Sequence, residues 1–330
     1  RVMMTELEKA LVARAQQLLE DGTVSRVVGW TKGEFVYDPS PATFDNAEAL
    51  SEFVYNEFCG ANLSKYLVQV TKKPGKTAVF LKPCDTYSLN ELLKEHRVNR
   101  DNVYVIGVEC QGKTDNYKLE QQGVDGVTSV SYDGQNAVCE TAFGTKTVQK
   151  GSILLEKCLS CKGKKFVISD ETIVLNEMDE TANDRFSEVA KLEAMTADER
   201  YAFWQEQLSK CIRCNACRNV CPACTCTKCV FDNPKSGIAA KANDVSFEEQ
   251  LFHVIRAFHV AGRCTDCGEC SRVCPQHIPL HLLNRKFIKD IDTLYGDFQA
   301  GEVADGKTPL TSYTTQDVDP IAVFDVKEGK

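Results

Sequence analysis

Along the first third of the chain, apolar residues alternate between helical and extended spacing. Leu7, Leu11, Leu18 and Leu19 recur about once per turn behind Thr5 and Glu8, which form a capping-box pattern, and Gly22 stands where such a helix would stop. Segments 24–30 and 35–37 read as short strands around Thr31-Lys32-Gly33. Segment 47–58 reads as a helix with Leu50, Phe53, Val54 and Phe58 inward, and 63–68 as another. The next stretch is sharper. Thr77-Ala-Val-Phe-Leu81 and Val103-Tyr-Val-Ile-Gly-Val108 are apolar runs of strand length, and 88–96 between them has helical spacing. Strand, helix, strand at this distance predicts a βαβ unit, whose strands gather ligands at their carboxyl ends.

Downstream the texture changes. Residues 112–182 are rich in Gly, Asp, Asn, Thr and Val, which predicts short strands and turns closing a first domain. From 183 to 210 the pattern is helical, with Phe186, Val189, Leu192, Phe203, Trp204 and Leu208 at apolar positions. Segment 247–261 is strongly amphipathic, and 280–294 predicts one more helix. Pro309, Pro320 and many polar residues mark the final stretch as an extended tail, whose Ile321-Ala-Val-Phe324 packs either on a partner or on the chain's own core. The expected organisation is an α/β N-terminal domain over 1–185, a helix-rich domain over 186–298 and a tail over 299–330.

The second domain carries the chemistry. Cys211, Cys214, Cys217 and Cys221-Pro222 are spaced C-x2-C-x2-C-x3-C-P, and Cys264, Cys267, Cys270 and Cys274-Pro275 repeat that spacing. This is the bacterial ferredoxin run, in which three closely spaced thiolates hold one [4Fe-4S] cubane and the fourth ligates the other cluster. The spacing therefore predicts a two-cluster ferredoxin-like domain with crossed ligands. Cluster 1 takes Cys211, Cys214, Cys217 and Cys274; cluster 2 takes Cys264, Cys267, Cys270 and Cys221. Paired four-thiolate zinc knuckles are the competing reading.

Nine of the seventeen cysteines lie outside these sets. Cys84 and Cys110 follow the two buried strands, in Lys82-Pro-Cys84-Asp85 and Gly107-Val-Glu109-Cys110, and Cys158-x2-Cys161 adds a further pair. These four are expected to converge on a third centre, either iron–sulfur or zinc, against the alternative of buried free thiols. Cys59, Cys224, Cys226 and Cys229 are candidate additional ligands, and Cys139 is the cysteine left unliganded. Arg213, Arg218, Arg263 and Arg272 stand close enough in sequence to influence cluster potential or partner docking, with ordinary surface roles as the alternative.

Composition narrows the function. A net charge of −8 argues against nucleic-acid binding, which requires a basic surface, and no apolar run is long enough for membrane insertion. No signal-peptide pattern is present, so the thiols are expected to hold metal in a cytoplasmic protein rather than to form disulfides. Pro74-Gly75-Lys76-Thr77 ends like a P-loop, but Val70 stands where that motif needs glycine. No dinucleotide fingerprint follows a strand. FAD is therefore unsupported by any motif, although flavins are also held without one. His253 and His259 flank an apolar helix face and read as packing or surface residues. Asn62-Leu63-Ser64 matches a glycosylation sequon without consequence in a cytoplasmic chain.

Taken in order, Lys82-Pro-Cys84-Asp85, Gly107-Val-Glu109-Cys110, Cys158-x2-Cys161 and the two ferredoxin runs resemble the iron–sulfur β-subunits of the deazaflavin-coenzyme hydrogenase and formate dehydrogenase family. The likeness is to bacterial relatives associated with formate dehydrogenase or heterodisulfide-reductase-type complexes, and covers most of residues 24–290. In the deazaflavin enzymes of that family the ferredoxin module is expected to come first, whereas here it follows. The resemblance implies an electron-transfer subunit, not catalytic alone, that passes single electrons between a catalytic partner and a second redox carrier. Flavin-bearing subunits and soluble ferredoxin are the further partners implied. The alternatives are a flavin-containing reductase subunit exchanging hydride with a soluble coenzyme, and a cluster-based redox sensor.

Overall fold

The computed structural model describes residues 4–178, 184–233 and 246–311. Its N-terminal part is a mixed α/β unit. Helix α1 (Glu6–Glu20) leads to strands β1 (Arg26–Thr31) and β2 (Ser40–Phe44), helix α2 (Ser64–Val70), strand β3 (Thr77–Leu81), helix α3 (Pro83–Lys94) and strand β4 (Val103–Val108). There follow α4 (Asn116–Gln121), β5 (Val127–Asp133), β6 (Asn136–Thr141), β7 (Gly144–Gln149), the short α5 (Lys150–Ile153) and α6 (Glu156–Leu159), and β8 (Glu171–Ile173). The main sheet has the order β2-β1-β3-β4-β8, with β1, β3, β4 and β8 parallel to their neighbours and β2 antiparallel. Pro41 fits in β2 because that strand is an edge, where a missing N–H costs no central ladder bond.

Strands β3 and β4 have the bounds that their apolar runs predict, and β3 is buried along its whole length, as parallel strands covered on both faces must be. Thr5 caps α1 by accepting from the Glu8 amide at 3.1 Å. Glu8 itself is turned inward, and its carboxylate accepts from the Tyr55 amide at 3.4 Å.

Three local expectations change. Segment 35–37 forms no strand, and Phe35 lies exposed against Tyr37; β2 begins at Ser40 instead. Of the helix expected over 47–58, only the 3-10 turn Ala49–Glu52 forms. Phe53 bridges Thr31, the Val54 amide donates to the Trp30 carbonyl at 2.9 Å, and the Phe53 ring meets Phe44 and Phe80. Sheet pairing and aromatic burial thus outcompete the local helical pattern. Helix α3 starts earlier than 88, because Pro83 occupies its first turn, where a missing N–H is harmless, so Cys84 lies in the helix rather than in a loop.

Strands β5, β6 and β7 form a separate antiparallel meander, with Cys139 fully buried among Leu119, Val130 and Ala137. The C-terminal part is helix-rich: α7 (Ser187–Ala194), α8 (Ala197–Ser209), α9 (Ala216–Asn219), α10 (Ser246–Val260), α11 (Glu269–Arg272) and α12 (Leu280–Tyr295). Helix α10 packs on α8 and α12, and α9 packs on α11. Of the expected tail, residues 299–311 return to the body of the protein. Gly301, at φ +77, sits so close to the Tyr87 carbonyl that a Cβ would lie 1.9 Å from its oxygen. Pro320 and Ile321 to Phe324 lie outside the described residues. Among the described residues, no helix is long and apolar enough to cross a membrane.

Candidate iron–sulfur centres

The two ferredoxin runs share one backbone path. Arg213 and Asp266, each just before the second cysteine of its run, are left-handed at φ 53 and 55. Asn215 and Gly268, each just after it, are left-handed at φ 62 and 65 and cap α9 and α11. Such conformations in non-glycine residues cost about 1–3 kcal/mol each and persist where the surroundings dictate them. Here they curl each run tightly about its second cysteine. The curl also aims amides at sulfur: Arg213 N–H donates to Cys211 Sγ at 3.4 Å, and the Asp266 and Glu269 amides bond Cys264 and Cys267. Gly268 is required twice over, since a Cβ there would lie 2.5 Å from the Lys157 Cβ.

Cys211, Cys214, Cys217 and Cys274 line one cavity, closed by Phe252, Ile278 and Leu280. The final cysteine of the second run thus meets the first three of the first run. Conversely, Cys221 lies within electrostatic reach of Cys267, and Cys264, Cys267 and Cys270 of one another. Cys217 and Cys270 share an apolar cluster with Leu208, Ile278 and Leu280 between the two sets. Among the described residues the one close group of possible metal-ligating atoms is Cys211, Glu249 and His253, within 4.8 Å of one another. The aimed amides fit an anionic group, as a cubane is.

Burial governs these thiols. It pushes Cys211 and Cys264 up to about 12, helped by Glu249 beside the first and by Asp266 beside the second, so they become thiolates only when iron compensates the charge. Two [4Fe-4S] clusters are this domain's cofactors; they supply one-electron chemistry, and the chain fixes their position and surroundings. The extra cysteines differ. Cys224 is hydrogen-bonded to Cys221, which together with Arg256 and Lys65 holds its thiol below the usual range. Cys226 is exposed, Cys229 lies beside Arg218, and Cys59 hydrogen-bonds Asn56 and the Val54 carbonyl.

Cys84, Cys110, Cys158 and Cys161 line a second cavity, with Lys157, Lys162, Lys164, Asp266 and Cys267. Cys84 comes from the first turn of α3, Cys110 from just beyond β4, and Cys158 from α6. The motif residues around them are positioning devices. Lys82 and Asp85 form a fully buried ion pair at 2.6 Å, and Lys82 also donates to the Ala61 carbonyl. Glu109 accepts from the Leu175 and Asn176 amides at 2.8 Å, locking the chain beside Cys110 to the segment after β8. Despite burial, Lys113, Lys164 and Lys82 pull the Cys110 thiol down. Because Cys267 belongs to the cluster 2 set and also lines this cavity, the two sites share a wall.

Glu269, inside the second run, joins the two halves of the chain. Its carboxylate accepts from Lys157 Nζ at 2.6 Å, from Arg272 at 2.8 Å twice and from the Asn62 amide at 3.1 Å, and Lys157 also donates to the Gly60 carbonyl. Although burial opposes its charge, Arg272 and Lys157 hold the carboxyl well below the usual range. Ser88 with Thr265, Arg263 with Glu95, and Arg285 with Ser160 and Asp266 continue this polar seam. Of the four arginines singled out from the sequence, Arg218, Arg263 and Arg272 are bound to carboxylates, and Arg213 lines the cluster 1 cavity while pairing with Glu249 at 3.4 Å.

Sequence reasoning missed the polar stripe of α10. Glu249, His253 and Arg256 follow one another at four and three residues, hence on one face, and all are buried. His259 is exposed, but His253 lines the cluster 1 cavity, with neither ring nitrogen hydrogen-bonded. Burial, with Arg256 and Arg213 nearby, pushes its imidazole down to about 3 and keeps it neutral. The available signal was three polar residues at helical spacing on an otherwise apolar face.

A family described as a 4Fe-4S dicluster domain matches residues 207–278. The "F420-dependent formate dehydrogenase subunit beta" of Methanocaldococcus jannaschii is 27% identical over 86% of this chain and 90% of its own length. The "F420-dependent formate dehydrogenase 1 subunit beta" of Methanococcus maripaludis is 25% identical over 91% and 94%. These β-subunits are homologues of this chain, consistent with the resemblance that its cysteine motifs carry. Both alignments run through the two halves of this chain in one order. A shorter match, 33% identical over 22% of this chain and 70% of the relative, is to the "Putative ferredoxin-3" of Sinorhizobium fredii. A chain of the F420-reducing [NiFe] hydrogenase complex from Methanosarcina barkeri overlaps 46% of this chain and 62% of its own, at 16% identity and a TM-score of 0.36.

Proposed function

We propose that this β-subunit relays single electrons through a row of iron–sulfur centres inside a formate dehydrogenase or hydrogenase-type complex. One catalytic partner supplies or takes the electrons, and a second redox carrier, either a flavin-bearing subunit or a soluble ferredoxin, stands at the other end. The observation that carries the reading is the shared wall. Cys267 of the cluster 2 set lines the cavity of Cys84, Cys110, Cys158 and Cys161, while Cys217 and Cys270 adjoin across the cluster 1 and cluster 2 sets. Each thiol set thus adjoins the next, and the last adjoins the carboxyl ends of β3 and β4, where α/β units bind ligands. In this reading the third set holds another [4Fe-4S] cluster. Its four thiols come from separated elements, and the lysines around it offset the charge of an anionic cluster.

One anaerobic preparation tests both parts. Reduced by a strong chemical donor, the pure chain should pass its electrons to a one-electron acceptor and should oxidise neither formate nor hydrogen alone. Iron should fall by about four per chain when Cys84, Cys110, Cys158 and Cys161 are all replaced by serine. Turnover by the lone chain would refute the relay, and unchanged iron would refute the third centre. Stoichiometric bound flavin together with hydride exchange would make the chain a reductase instead.

A further inference from the structure

Arg256 is a buried cation whose neighbours are sulfur. It projects from α10 with 6% of its surface exposed, and its guanidinium donates to Cys217 Sγ and to the Cys217 carbonyl, each at 3.3 Å. It hydrogen-bonds Cys224 and lies within electrostatic reach of Cys221 and Cys270. The neighbouring carboxylate, Glu249, pairs with Arg213 instead, and among the described residues no carboxylate forms an ion pair with Arg256. A guanidinium buried without a counter-ion costs several kcal/mol, so this placement makes sense only if the surrounding sulfurs carry negative charge. Cluster-bound thiolates carry it. The sulfurs it faces belong to both sets, Cys217 to cluster 1 and Cys221 and Cys270 to cluster 2.

We infer that Arg256 is a tuning residue shared by the two ferredoxin-type clusters, its fixed positive charge favouring the reduced state of both and of cluster 1 most, through the direct bond to Cys217. The inference rests on the cluster assignment proposed above. Its physical basis is that reduction adds one negative charge to a cluster, and a cation held in a low-dielectric interior stabilises the more negative state. A hydrogen bond to a ligating sulfur acts in the same direction.

The test is an EPR-monitored redox titration of the anaerobically purified full-length chain, with iron and labile sulfide measured on the same samples. Arg256→Met, which keeps the side chain's bulk and removes its charge, should disfavour reduction of cluster 1 about tenfold, a fall of about 59 mV for one electron. Cluster 2 should move in the same direction by less. Arg256→Lys, which keeps the charge but cannot reach both the sulfur and the carbonyl of Cys217, should fall between wild type and Arg256→Met. Fully loaded variants with unmoved potentials, or with potentials that rise, would overturn the tuning role. A wild-type chain that carries no labile sulfide would instead overturn the cluster assignment itself. If neither variant loads its clusters, guanidino-15N-arginine can be placed in an Arg213→Lys chain that retains Arg256. The reduced cluster 1 signal should then show a nitrogen coupling, and its absence would refute the contact.

Discussion

Glu269→Ala should destabilise the protein by about 3–5 kcal/mol, the cost of removing one partner from a buried ion pair and leaving the other charge unmatched. The substitution leaves Lys157 buried without its carboxylate and Arg272 without both of its hydrogen bonds, and it orphans the Asn62 amide. These contacts bind α11 to α6 and to the loop before α2, so the loss falls on the seam between the two halves. Denaturant unfolding of the loaded protein, followed by tryptophan fluorescence and by cluster absorbance, should show the cluster transition moving to lower denaturant. A change under 1 kcal/mol would mean that the seam is held elsewhere. Glu269→Gln, which can still accept one bond, should cost less.

Serine at both Cys221 and Cys224 should abolish cluster 2 and leave cluster 1 in place. Crossed ligation makes this expectation counterintuitive, since both residues follow the cluster 1 run in sequence. In space, Cys221 lies toward Cys267, and the cluster 1 cavity takes its fourth thiol from Cys274. Cys224 must be changed as well, because it is hydrogen-bonded to Cys221 and offers a replacement sulfur at the same place. Iron should drop by about four per chain, and the surviving reduced signal should match that of a chain whose second run is disabled at Cys264 and Cys267. Loss of the cluster 1 signal instead would show that each run ligates its own cluster.

Sequence was most legible where local chemistry decides the outcome. The bounds of β3 and β4 follow from uninterrupted apolar runs, α10 and α12 from amphipathic spacing, and the meeting of Cys274 with Cys211, Cys214 and Cys217 in one cavity from the repeated motif. Legibility failed where distant partners decide. Phe53 and Val54 have helical spacing but are drawn into extended pairing with Thr31 and Trp30. Lys82, Glu109 and Lys157 sit in the cysteine motifs, yet their roles depend on Asp85, on the segment after β8 and on Glu269. The α10 stripe was overlooked because a lone histidine or arginine on an apolar helix reads as packing or surface until the sulfurs opposite it are located.

Whether these thiols hold iron–sulfur clusters that conduct electrons is decided by counting iron, labile sulfide and zinc per chain in anaerobically isolated protein, with Mössbauer spectra of the same sample. At least about eight iron and eight sulfide are expected, in [4Fe-4S] form and reducible by one-electron donors. Full zinc occupancy with no labile sulfide would contradict the cluster assignment.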